Sequence, residues 1–273
     1  MIKTKLPLVS VVIPAYNCAD YIGDAINSIL SQTYPNVEII IIDDASTDET
    51  LSIVNNFAKK DNRIQVYSNK KNLGIGANRN YGIKLSKGEY ICWQDADDIS
   101  LPLRIEHQVE HLLEHPEVGV VGGYIQFFGP NQKKVVRKYE QDDIDLRAMI
   151  FRYNPVAQPA SMFRTEVYES VGYYDSNLRV SEDLEMFFRL GEKYKFGNVQ
   201  EIVLMYRQVQ SSLTRTNLKK MEKESLRLRR YYSDNKAYKF TIVDSLYNQF
   251  QQMSMFIPAL LRIRIFALMR GDK

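Results

Sequence analysis

The chain has 273 residues, 45% of them hydrophobic and 25% charged, an ordinary globular composition with enough apolar material for a substantial core. Two cysteines, Cys18 and Cys92, are too few for a disulfide framework and match no metal-ligand spacing. No stretch supplies the ~18 uncharged apolar residues of a membrane span, and the start of the chain is too short an apolar run for a signal peptide, so a reducing cytoplasmic setting is expected. The net charge of +3 is unevenly placed: residues 214–273 hold 13 Lys and Arg against 5 Asp and Glu, or +8, which leaves −5 on residues 1–213.

Leu8 to Pro14 is rich in β-branched residues and predicts a buried first strand, with Tyr16 and Asn17 in the loop at its carboxyl end. Ile22, Ala25, Ile26, Ile29 and Leu30 recur at helical spacing and predict an amphipathic helix from Asp20 to Gln32. Val37 to Ile42, apolar but for Glu38, reads as a second strand ending on Asp43-Asp44, and Ser46-Thr47-Asp48-Glu49 spells a capping box for the next helix. A third strand is expected from Arg63 to Tyr67, a helix from Gly76 to Leu85, and a fourth strand from Glu89 to Gln94. Such alternation implies an α/β fold: an open, mostly parallel twisted sheet with helices on both faces, whose ligands bind beyond the carboxyl ends of the strands. That rule puts Ala15 to Asn17, Asp43-Asp44 and Asp95 to Asp98 along one rim.

At the end of the fourth strand three carboxylates crowd together in Asp95-Ala96-Asp97-Asp98. They repel one another unless a cation or a donor compensates. Two carboxylates separated by one small residue can turn toward one ion, and hard oxygen ligands suit Mg2+ or Mn2+ sharing their shell with substrate phosphates. A helix cap accounts for Asp98 or Ser100, with Pro102 in the predicted first turn, but not for Asp95 and Asp97.

Beyond the cluster, helices are predicted from Leu101 to Glu114 and Asp142 to Arg152. Strands are predicted over Val118 to Gly123, Tyr124 to Phe128, Lys133 to Lys138, Ala160 to Phe163 and Ile202 to Arg207. Ser181-Glu182-Asp183 opens a helix running from Leu184 to Lys193, where Asp183 serves equally well as a plain cap. His107, His111 and His115 share one helix face, either a solvated face or a zinc site. Gly74-Ile75-Gly76 lacks the third glycine of a dinucleotide fingerprint.

Six pieces in order resemble the family 2 glycosyltransferases of GT-A (Rossmann-like) fold: Val11 to Asn17, Ser28 to Thr33, Glu38 to Asp48, Asn72-Leu73-Gly74 with Ala77 to Asn80, Asp95 to Asp98, and Ser181-Glu182-Asp183. The resemblance covers residues 8–213. It implies inverting transfer of a sugar from a nucleotide-diphosphate donor, commonly a UDP-sugar, to an acceptor hydroxyl, with a divalent cation, Mn2+ or Mg2+. Matched by position, Pro14, Ala15, Tyr16, Asn17, Asp44, Asn72, Gly74, Arg79, Asp95 and Ala96 look like the nucleotide-sugar site, with Asp43 shaping the turn. Asp97, with Asp95, looks like the metal ligand of a DXD motif. Asp183 resembles the catalytic base, and Glu182 and Gln158 lie toward the acceptor or behind the reacting groups. Two departures stand out: Gln158 replaces a histidine found in relatives, and Tyr206 to Ser211 lacks a histidine that some relatives offer to the metal. The implied acceptor is a surface polysaccharide or lipid-linked oligosaccharide. The alternatives are transfer to a polyprenyl phosphate and a non-catalytic sugar-nucleotide-binding protein.

Residues 214–273 read as a helical extension of a domain spanning 1–213. Residues 216–232 form a basic amphipathic helix, and residues 253–269 are more apolar, with Arg262 and Arg264 placed to snorkel. The extension either rests on the inner face of the cell membrane or packs on the domain or on a second copy as a homodimer. No nucleic-acid motif is present.

Overall fold

The computed structural model describes residues 6–129, 135–208 and 217–270, with the side chains of 259 and 260 left aside. Strand β1 (Val9–Ala15) pairs in parallel with β2 (Val37–Asp43) and β4 (Tyr90–Trp93), and β2 pairs in parallel with β3 (Ile64–Ser68). Every residue of β1, β2 and β4 is buried, because helices cover both faces. α1 (Ile22–Leu30) buries Ile22, Ala25, Ile26 and Ile29, as their spacing requires. α2 (Thr50–Ala58) and α3 (Ile75–Leu85) complete the alternation. The register aligns Ala15 with Asp43 and Val12 with Trp93, so the carboxyl ends of β1, β2 and β4 meet along one rim.

The sheet continues through antiparallel β8 (Met162–Arg164) to β6 (Val118–Phe128), β9 (Lys195–Arg207) and short β5 (Ile99–Ser100), with β7 (Val135–Arg137) beside β6. The predicted pair of strands over 118–128 is one strand whose register shifts at Gly123 and Tyr124, so the break in the pattern marks an irregularity and not a turn. The last strand starts at Lys195 rather than Ile202. Likewise α4 (Arg104–Glu114) begins three residues later than predicted, because β5 and a turn occupy 99–103. α5 (Asp143–Met149) and α7 (Glu182–Leu190) are shorter than expected, and α6 (Glu166–Val171) is unanticipated.

The predicted capping box does not form at α2, whose N-cap is Glu49 with no side-chain bond. Ser46 Oγ instead accepts from Asn17 N–H and Asp48 Oδ2 from Ala19 N–H, so the motif ties the first two rim loops together. Ser28 Oγ accepts from Ser100 N–H while Gln32 Nε2 donates to Leu101 O, which makes the Ser28 to Thr33 motif a brace between α1 and the chain entering α4.

α3 lies close on the sheet at Gly82, where a Cβ would collide with Val12 Cγ1 and fall 3.2 Å from Ile42 Cδ1. Gly82→Ala is therefore expected to lower stability by about 1–3 kcal/mol through overpacking, with no change in denaturant m-value. Chemical denaturation checks it, and unchanged or increased stability would contradict this close packing.

The extension comprises α8 (Leu218–Tyr232), α9 (Ile242–Ser254) and α10 (Ala259–Arg270). The predicted boundary at 213/214 and the residues Val209 to Ser211 lie outside the described residues, as do Met1 to Lys5 and Lys133. The apolar run 253–269 is not one helix: α9 ends at Ser254, Pro258 follows, and α10 starts anew. α8 packs on the domain, with Tyr232 stacked on Phe188 at 4.4 Å and Leu228, Tyr232 and Tyr238 inside the main core. Arg262 does not snorkel. It is buried and paired with buried Glu222 at 3.1 Å, just as Arg152 pairs at 2.8 Å with fully buried Asp244. No helix among the described residues is long and apolar enough to cross a membrane.

Candidate active site

The acidic loop is folded around Gln94. Its Nε2 donates to the carbonyls of Asp95 and Asp98, both at 2.9 Å, and its Oε1 accepts from Ser100 Oγ and Arg104 Nη1. Arg104 is buried beneath the loop and also donates to Trp93 O at 2.7 Å, so a fixed positive charge underlies the acids. From the other side Arg207 donates its backbone N–H to Asp98 Oδ1 and its Nε to Asp97 O. Even so the cluster remains over-negative. Burial and the neighbouring charges of Asp97 and Asp95 hold the Asp98 carboxyl well above the usual carboxylate range, and its buried Oδ2 has no hydrogen-bond partner. Burial and the charge of Asp95 push Asp97 up to about 6.

A raised carboxyl means that the folded protein holds the proton more tightly than the unfolded chain, whose value is 3.8. The penalty for ionising Asp97 is thus absent below about pH 4, grows as pH rises to about 6 and is complete above it. Asp97→Asn is expected to stabilise the ligand-free protein by roughly 1–3 kcal/mol at neutral pH and not at all near pH 4. Melting curves across pH check this, and a loss of stability at pH 8 would contradict it.

Across the rim from these acids stands the start of α7. Ser181, its N-cap, has φ 60°, a left-handed conformation uncommon for a residue with a Cβ, and its Oγ is held by Ser225 Oγ and Met221 O of α8. Two further non-glycine residues with positive φ, Asn17 at 48° and Ala45 at 59°, also lie at strand ends on this rim. Buried Glu182 makes an ion pair with Arg79 of α3. Asp183 is partly exposed: its Oδ2 accepts from Asn154 Nδ2 and its Oδ1 from Leu184 N–H, both at 2.8 Å.

Arg79 joins the two sides. Its guanidinium contacts Glu182 and lies 3.8 Å from Asp95, over the rings of Tyr174 and Trp93 at 5.5 and 5.7 Å. Burial works against its charge, but Glu182, with Tyr174 and Asp95, more than offsets this and holds it above the ordinary arginine range. Burial raises the Asp95 carboxyl, Arg79 opposes the rise, and the charge of Asp183 adds to it, so the acid that follows β4 senses the one on α7. Gln158 is buried behind this group, donating to Tyr174 OH at 2.9 Å, and does not reach the rim surface.

On the remaining side Asp44 is buried. Its carboxylate accepts from Asn69 Nδ2 and from the backbone N–H groups of Leu73 and Gly74, all at 2.9 Å, which fixes the Asn72 to Gly74 loop. Gly74 has φ +89°, and a Cβ there would fall 2.5 Å from Arg179 Nη1. Asp43 accepts from Ser46 N–H in the turn after β2 and from Ser68 Oγ of β3. Pro14 and Ala15 end buried β1, Ala96 is buried within the acidic loop, and Tyr16 and Asn72 present exposed side chains. The histidines of α4 do not converge: His107 bonds Glu201 at 2.8 Å while the rings of His111 and His115 face each other at 4.6 Å.

A family model, Glycosyl transferase family 2, matches residues 10–172, more than half of the chain. The chain belongs to the family 2 glycosyltransferases. An uncharacterized glycosyltransferase of Rickettsia typhi is 31% identical over 231 residues, covering 81% of this chain and 70% of its own. Among solved structures, S. aureus TarS 1-349 in complex with UDP-GlcNAc superposes with a TM-score of 0.68 at 22% identity, over 88% of this chain and 70% of that one; the chain spans 42% of the longer TarS chain. The mannosyltransferase PcManGT from Pyrobaculum calidifontis, in complex with GDP-Man and Mn2+, gives 0.65 at 17% identity over 98% and 81%. At these identities the two structures establish the fold alone, and it is of GT-A type. The matched stretch of this family 2 chain ends before Ser181, so Glu182 and Asp183 enter the site on geometry.

Sequence reasoning missed Gln94, Arg104, Asn154, Tyr174 and Arg207. For Arg104 and Gln108 a signal existed: both lie on the apolar face of α4 with Ile105, Val109 and Leu112, where a cation is costly unless paired inward.

Proposed function

We propose that the chain moves a sugar from a nucleotide-diphosphate donor, with UDP the first candidate, to a hydroxyl of a surface polysaccharide or lipid-linked oligosaccharide, with inversion. The observation that carries this reading is Arg79 set between Glu182 and Asp95, which keeps the acidic loop and the Asp183 turn at one rim.

Asp183 is the general base. It is ordered by Asn154 and by the Leu184 N–H of its own helix. As the acceptor oxygen bonds to the anomeric carbon, its proton passes to the Asp183 carboxylate, and the anomeric bond to the diphosphate oxygen breaks with its electron pair on the leaving group. Tyr16 and the Asn72 to Gly74 loop flank the nucleoside. Asp44 uses two of its roughly four acceptor positions on that loop and a third on Asn69, leaving one for a base N–H.

Among the described residues no group of three or more His, Cys, Asp or Glu is arranged to hold an ion by itself. Asp97 and Asp95 nevertheless fit a Mg2+ or Mn2+ that keeps waters and shares donor phosphates, because their hard oxygens lie in a locally over-negative loop beside the buried, unpartnered Oδ2 of Asp98. When bound, such an ion would neutralise charge on the departing diphosphate. Thermal melts with a panel of nucleotide diphosphates, with and without Mn2+, test the reading. Stabilisation by about 2.7 kcal/mol at ligand concentrations near 100 Kd, larger with metal and lost in Asp97→Asn, is expected; indifference to every nucleotide would contradict it.

A further inference from the structure

α9 has two opposed faces. Asp244, Tyr247, Gln251 and Ser254 turn into the protein, while Ile242, Val243, Leu246, Phe250 and Met253 are 41 to 78% exposed. At ~100° per residue those five fall within one sector of about 100°, an unbroken apolar stripe on a helix already anchored by its other side. Phe256, 94% exposed, extends it past the helix end, and Phe266 of α10 packs edge-on against Tyr247 and Phe250, which fixes the two helices side by side.

The charges around the stripe select its occupant. Glu222 and Asp244 are buried in ion pairs and Glu224 is spent on Arg227, so among the described residues of the extension Asp234 is the one exposed carboxylate. Lys219, Lys220, Lys223, Arg230, Lys236 and Lys239 are all exposed, and the last two lead directly into the stripe. A second copy would bring the same basic surplus against itself, whereas an anionic bilayer offers both the apolar interior and the opposite charge. With 13 residues, α9 is too short to cross the bilayer and suits lying in its interface.

We infer that the outer face of α9, extended by Phe256 and framed by the lysines before Ile242, is a docking surface for an anionic lipid bilayer. The sequence pattern alone placed this role on 216–232 and 253–269. The structure buries Arg229 and Arg262 of those segments and centres the contact on α9, which shares only its last two residues with the second segment. The inference does not depend on the proposed sugar transfer.

The test is co-sedimentation of the full chain with phosphatidylcholine vesicles with and without phosphatidylglycerol, set beside the variant Leu246→Glu/Phe250→Glu/Met253→Glu. All three sites are exposed, so the fold should survive, and an unchanged melting curve verifies that. Binding to the anionic vesicles only, weakened by about 0.5 M salt and reduced at least ~10-fold in the variant, is expected. Absence of vesicle binding, equal binding by the variant, or a wild-type dimer that the variant converts to monomer would each overturn it. Failure of nucleotides to stabilise the protein would count against the enzymatic reading and leave this one standing.

Discussion

Asp183→Asn is expected to leave donor binding near that of the unmodified chain and to lower turnover by about 100-fold to 10,000-fold, because the attacking hydroxyl loses the group that takes its proton. The substitution is nearly isosteric. The oxygen of the introduced amide still accepts from Leu184 N–H, but its nitrogen would face the Asn154 Nδ2 that now donates to Asp183, so the Asn154 amide must turn over. Loss of the carboxylate also removes a favourable charge at the start of α7, worth about 0.3–1 kcal/mol. A fall in turnover with KM held separates chemistry from folding. Turnover near that of the unmodified chain would remove Asp183 as the base and favour an acceptor that is already anionic, such as a lipid phosphate.

Arg79→Met should produce the largest loss of stability, about 3–5 kcal/mol, since it leaves Glu182 buried without its partner and Asp95 without its nearest cation. Arg79→Lys should not restore the site, because one ammonium cannot reach two carboxylates while lying over Tyr174 and Trp93. Adding Glu182→Gln to Arg79→Met should recover much of the stability and none of the turnover, which separates a structural ion pair from a positioning residue. Denaturation together with kinetics checks both parts. A stable, active Arg79→Met protein would show that the two sides of the rim do not rely on this bridge.

Much of the framework was legible in the sequence for simple reasons. β1, β2 and β4 are buried on both faces, and so they appear as apolar runs, interrupted inside only by Ser10 and Glu38, which bond each other. The acids that follow them then had to stand at the carboxyl rim. Pairing partners across long loops were not legible. Arg79 was expected beside the nucleotide, yet its guanidinium is buried against Glu182, 103 residues away, a contact that no local pattern encodes. The Ser46 to Glu49 segment obeyed the letters of a capping box and served the neighbouring loop instead, because Asn17 and Ala19 offered unpaired N–H groups there. In the extension, the basic and apolar pattern was visible, but which of its arginines turn inward depended on partners in other helices: Glu222 of α8 for Arg262, and Asn248 and Gln251 of α9 for Arg229.

The central claim is that Asp95 and Asp183, delivered by different segments, share one electrostatic site across Arg79. A double-mutant cycle measures it: the stability of the ligand-free protein near pH 7.5 with Asp95→Asn, Asp183→Asn and both together. Like charges acting on one another predict that neutralising either relieves the other, so the double change should be less favourable than the sum of the single ones by about 0.5–3 kcal/mol. Strict additivity would mean that the two carboxylates do not sense each other, and the shared site would be refuted.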